Sequence, residues 1–117
     1  MSYKRSMPFV VTMSSGLTLT SEVALPQAYD RVLLGIPTMT SGTDVLIQVA
    51  ERTSGTYRNL YHEPVVDSTT PTKVQINSSV TQAYVPLNIA GAEHIKVELS
   101  TAMTATSVEF DIVGISL

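Results

Sequence analysis

The chain has 117 residues, a net charge of −3, 44% hydrophobic residues, 15% charged residues and no cysteine. A length of this order holds one domain around a single core. The missing cysteine excludes a disulfide framework, a thiolate nucleophile and a Cys-ligated metal, and no apolar run approaches the roughly 20 residues of a membrane helix.

Charge is low against roughly a quarter of residues in an average soluble protein. Ser and Thr fill the gap at about a quarter of the chain, the composition of a strand-rich protein with hydroxyl-lined faces. No basic or acidic block is present, so a nucleic-acid backbone is not an expected partner.

Residues 1–7 bring Tyr3, Lys4 and Arg5 together. They read as an N-terminal arm laid on a sheet edge or on a neighbouring molecule, with a sandwich domain over 8–117. Pro8 and the short apolar stretch beyond it do not make a secretory signal. Phe9–Met13 reads as a strand, Ser14-Ser15-Gly16 as a turn and Leu17–Val23 as a second strand. In that second strand Leu17, Leu19 and Val23 share one face, and Thr18, Thr20 and Glu22 the other. Arg31–Pro37 carries the core candidates Val32, Leu33, Leu34 and Ile36, and Pro37 stops the ladder.

Asp44–Tyr61 is a hairpin written in sequence, two runs separated by Thr53-Ser54-Gly55-Thr56. The stretch 63–71 reads as a loop. Lys73–Asn77 points Val74 and Ile76 inward, and Ala83–Leu87 is a short strand. Asn88–Glu93 has room for a helical turn ended by Gly91. His94–Ser100 places Ile95, Val97 and Leu99 inside, with His94, Lys96 and Glu98 outside. Val108–Leu117 closes the chain, with Val108, Phe110 and Ile112 facing the core and Gly114 marking a bulge or a close approach. Leu46 and Val113 are out of phase with their strands and imply a covering sheet or loop. The pattern predicts an all-β fold, a single-domain antiparallel two-sheet sandwich, jelly-roll-like, with about eight strands.

No motif carries chemistry. Glu109 and Asp111 share a strand face roughly 7 Å apart and read as solubilising edge charges. His62 and His94 are the only imidazoles, too few for a His-rich metal site. Tyr61-His62-Glu63 has no nucleophile context, and neither GxGxxG nor GxxxxGK[ST] occurs. Tyr57 and Tyr61 share a parity and read as packing across the hairpin rather than as a sugar platform. The expectation is a non-enzymatic protein with no cofactor, no metal and no small-molecule ligand.

The phrases RVLLGIPTMTSG, DVLIQVAE, SGTYRNLY and YVPLNIAGAEHIKVELSTAMTA, with a last strand through Val113-Gly114, resemble small β-sandwich proteins from the virion-structure modules of tailed bacteriophages. The resemblance spans roughly residues 30–117. It implies a capsid cement or decoration subunit that binds the major capsid protein lattice, or a neck or tail accessory ring subunit. It also implies a homo-oligomer on the capsid surface, made in the bacterial host cytoplasm, with no membrane association and no catalytic residues. A carbohydrate-binding sandwich on the virion surface is the competing class. Expected contact residues are Tyr3, Lys4, Arg5 and Met7 in the arm, with Met39 and Met103, loop methionines lacking an evident core role and suited to adapt to a partner.

Overall fold

In the computed structural model, which describes residues 4–39, 43–53, 55–62, 72–89, 91–103 and 107–116, the chain forms ten strands and, among those residues, no helix. They are β1 (Lys4–Arg5), β2 (Phe9–Met13), β3 (Val23–Ala24), β4 (Arg31–Ile36), β5 (Val45–Ala50), β6 (Arg58–Asn59), β7 (Gln75–Ile76), β8 (Ala83–Asn88), β9 (His94–Leu99) and β10 (Val108–Ser116). The loop expected over 63–71 lies outside the described residues.

Two five-stranded antiparallel sheets result. In the first, β1 and β2 lie end to end along one side of β10, and β4 then β8 follow on the other side. In the second, the order is β3, β9, β5, with β6 and β7 end to end along the free side of β5. The pairing is nested: β2 with β10, β3 with β9, β4 with β8, and β5 with the β6–β7 edge. That is the connectivity of a jelly roll. Two edge positions are each built from two short pieces, which raises the strand count above the expected eight.

Strict alternation explains the core. Ile95, Val97 and Leu99 of β9 and Phe110 and Ile112 of β10 are at most 2% exposed. They meet Val32, Leu34 and Ile36 of β4, Val45 and Ile47 of β5, and Val11 and Met13 of β2 in one cluster between the sheets. Each such side chain contributes about 1.5–3 kcal/mol by leaving water. The expected hairpin is present, with Gln48 opposite Asn59 and Val49 opposite Arg58. Its second arm is an outer edge that leaves the sheet at the Tyr61–Lys73 bridge. Where a helical turn was expected, Ala92 N–H donates to Ile89 O at 3.0 Å and Gly91 has φ 84°.

Three placements differ from the sequence reading. Leu17 and Leu19 are 54% and 37% exposed, whereas Thr20 is buried at 5%. Thr20 joins β9 through both its backbone and its side chain: its N–H donates to Val97 O at 3.0 Å, and Val97 N–H donates to Thr20 Oγ1 at 3.0 Å. That fixes the face of this segment against the apolar pattern. Leu46 and Val113 are buried at 7% and 5%, yet they project outward, in register with Glu98 and Leu33. Neither belongs to the core cluster between the sheets. Met103 is 9% exposed and part of the core cluster, and Met39 packs partly buried against it. Met103 is therefore a core side chain, not a free contact residue.

Candidate functional site

Two outward faces and the N-terminal segment are the surfaces that present side chains. The N-terminal segment is tied to the protein's own sheet. Lys4 and Arg5 pair with Ser116 and Ile115. Ser6 N–H donates to Gly114 O, and Gly114 N–H donates to Ser6 Oγ, each at 2.8 Å. Residues 4–6 thus lie along the edge of their own first sheet, one of the two placements expected for the N-terminal segment. Arg5 is exposed and Met7 is 82% exposed. Tyr3 and the side chain of Lys4 lie outside the described residues.

The outward face of the second sheet is a polar network. Glu22 precedes β3, Tyr57 precedes β6, and His94 and Lys96 alternate along β9. Tyr57 Oη donates to Glu22 Oε1. His94 Nδ1 sits 3.4 Å from the same oxygen, at ion-pair distance but outside hydrogen-bond geometry. The Lys96 ammonium lies 4.5 Å from the centre of the Tyr57 ring, a cation–π contact. Gln48 Nε2 donates to Glu98 Oε1 at 3.3 Å. Burial, then the Glu22 hydrogen bond and its negative charge, push the Tyr57 phenol well above its usual 10. The phenol is a fixed donor, unsuited to act as a base near neutral pH. His94, expected outside, has a side chain only 12% exposed, with Glu22 beside it. Sequence parity placed Glu22 and Lys96 outward but gave no sign that Tyr57 would bridge them.

The outward face of the first sheet is different. Gly35 lies beneath Tyr84 and Asp111, such that a Cβ there would sit 2.9 Å from Tyr84 Cε1 and 3.0 Å from Asp111 Cβ. Tyr84 is 62% and Val10 58% exposed. Glu109 is exposed and Asp111 half-buried, both outward on β10. They line an open depression of about 750 Å³ with Met39, Pro37 and Tyr84. Its titratable lining groups are Glu109, Asp111 and Tyr84; His62 lines a separate depression with Tyr61 and Pro86. The two histidines and the Glu109–Asp111 pair are therefore not brought together. Among the described residues, no group of three or more His, Asp or Glu is placed to hold a metal ion. Tyr57 and Tyr61 are also separated in role, since Lys96 takes one face of the Tyr57 ring while Tyr61 is 48% exposed.

No protein-family model matches the chain, and no curated protein matches it. Among solved structures, the crystal structure of SPBc2 prophage-derived protein YomS is similar, with a TM-score of 0.54 and 13% sequence identity over 95% of this chain and 96% of that one. At that identity the likeness is one of fold, and it runs the length of both chains.

Proposed function

We propose that this chain is a non-enzymatic structural protein of a tailed-bacteriophage virion, a cement or decoration subunit that binds and stabilises the major capsid protein lattice. The observation that carries the reading is the end-to-end fold similarity to a prophage-derived protein, which agrees with the phage-type phrases in the sequence. The surfaces are compatible with it. Polar groups on the second sheet are engaged with one another, while the first sheet and Met7 leave apolar side chains in solvent. A cement subunit works through complementary apolar and hydrogen-bonding surface, and a low density of charge limits the cost of desolvation.

Quantifying this chain in purified virions tests the proposal. Hundreds of copies per particle are expected, with density between capsomers. About a dozen copies or fewer would replace this reading with a neck or tail ring, and absence from the particle would end it.

A further inference from the structure

The cross-strand rows on the outward face of the first sheet are ordered by chemistry. One row holds Arg5, Ile115, Arg31 and Asn88. Two residues further along the strands comes an apolar row: Val113, Leu33 and Pro86, flanked by Met7 and Pro8, where the β1 and β2 registers differ by one residue. The row after that holds Val10, Asp111, Gly35 and Tyr84, followed by Thr12 and Glu109. Positive charge thus sits at one end of the face, negative charge at the other, and apolar atoms lie between. None of Arg5, Arg31, Glu109 and Asp111 is ion-paired with another described residue.

We infer that this face is the interface of a twofold homodimer, formed with a second copy of this chain. An isologous interface must be complementary to itself. A twofold axis lying across the strands through the Val113–Leu33 row meets that condition: it lays the arginine row of each copy over the Asp111 row of the other. Arg31 of one copy then faces the Gly35 position of its mate, over which the Tyr84 ring and the Asp111 side chain close, and reaches Asp111 one strand away. Arg5 faces Val10, and the exposed members of the apolar rows, Met7, Pro8 and Pro86, with the half-buried Leu33, meet about the axis, Val113 being already 5% exposed in the single chain. The opposite alignment stacks arginine on arginine and carboxylate on carboxylate, so charge selects the antiparallel one.

Strand spacing and rise give the face dimensions of roughly 20 by 20 Å. That is about 400 Å² on each copy, below the range of stable interfaces and within that of weak, transient ones, so the dimer is concentration-dependent. The inference does not rest on the capsid reading, and its test uses the purified chain alone.

Sedimentation equilibrium at roughly 1–200 µM is expected to show monomer passing to dimer, with weaker association as NaCl rises. Arg31→Glu and Asp111→Arg each introduce two like-charge contacts and are expected to weaken the dimer by at least about tenfold, with far-UV circular dichroism unchanged. Mixing the two variants restores a charge match across the interface and is expected to recover association as a heterodimer. A native chain that stays monomeric, an oligomer indifferent to both reversals, or a mixture no more associated than its components would each overturn the inference.

Discussion

The ring of Tyr29 occupies the space a side chain at position 114 would need: a Cβ on Gly114 would lie 2.4 Å from Tyr29 Cδ2 and 2.6 Å from its Cγ. Tyr29 is buried at 4% just ahead of β4, and Gly114 points inward on the paired strand β10. The close approach anticipated at Gly114 is this contact. Gly114→Ala is expected to cost about 1–3 kcal/mol through overpacking. The midpoint of urea denaturation measures it, and the penalty should shrink in a Tyr29→Leu background, because the two positions are in contact.

Ser6, just ahead of Pro8, which has no N–H to donate, extends the β1–β10 ladder to Gly114. Its buried hydroxyl accepts the Gly114 N–H and donates to Met7 O at 2.9 Å. Ser6→Ala leaves that N–H buried without an acceptor, at a cost of about 1–3 kcal/mol. Ser14→Ala, at an exposed turn position, should stay within about 0.5 kcal/mol. Deleting residues 1–7 removes the same contacts, so a fall in melting temperature is expected whatever happens to partner binding.

Tyr57 ties stability to alkaline pH. Its phenol is held protonated above the usual 10 in the folded chain, so beyond that pH the unfolded state binds fewer protons and stability falls. The contribution is complete below pH 10 and is lost as pH rises towards the folded-state value. Comparing urea midpoints at pH 8 and pH 11 should show a larger loss for the native chain than for Tyr57→Phe. Equal losses would mean that the Glu22 contact does not hold the proton.

Met103 and Met7 separate core from surface. Met103→Ala should lower stability by about 2 kcal/mol or more through the cavity it leaves. Met7→Ala, at an 82% exposed position, should change it by no more than about 0.5 kcal/mol. Thermal melting of the two variants checks the assignment.

The strands that alternate cleanly are legible in the sequence. Ile95, Val97 and Leu99 repeat at a period of two, as do Phe110 and Ile112, and all five lie where that period puts them. Local pattern fails where a hydroxyl substitutes for a backbone acceptor. Thr20 is drawn inward by Val97 N–H, and Leu17 and Leu19 are left in solvent. Several other hydroxyls take backbone N–H groups at strand ends: Ser100 Oγ accepts from Asp44 at 2.8 Å, and Thr81 Oγ1 from Met39 at 3.0 Å. Composition registered the hydroxyls but not this use of them. The Glu22–Tyr57–His94–Lys96 cluster and the charge-graded rows were beyond local reading for another reason. They depend on which distant strands pair and in what register, which a period of two does not encode. Met103 was misplaced because a loop residue gives no periodic sign of the core beneath it.

The nesting of strands has a consequence for birth at the ribosome. β2 emerges early, yet the strand that completes its ladder, β10, is the last of the ten to be made, so residues 9–13 must wait for it before they can zip closed. Pairing over so long a separation is intrinsically slow, and until β10 has emerged the nascent chain carries open ladder edges that neighbouring copies can capture.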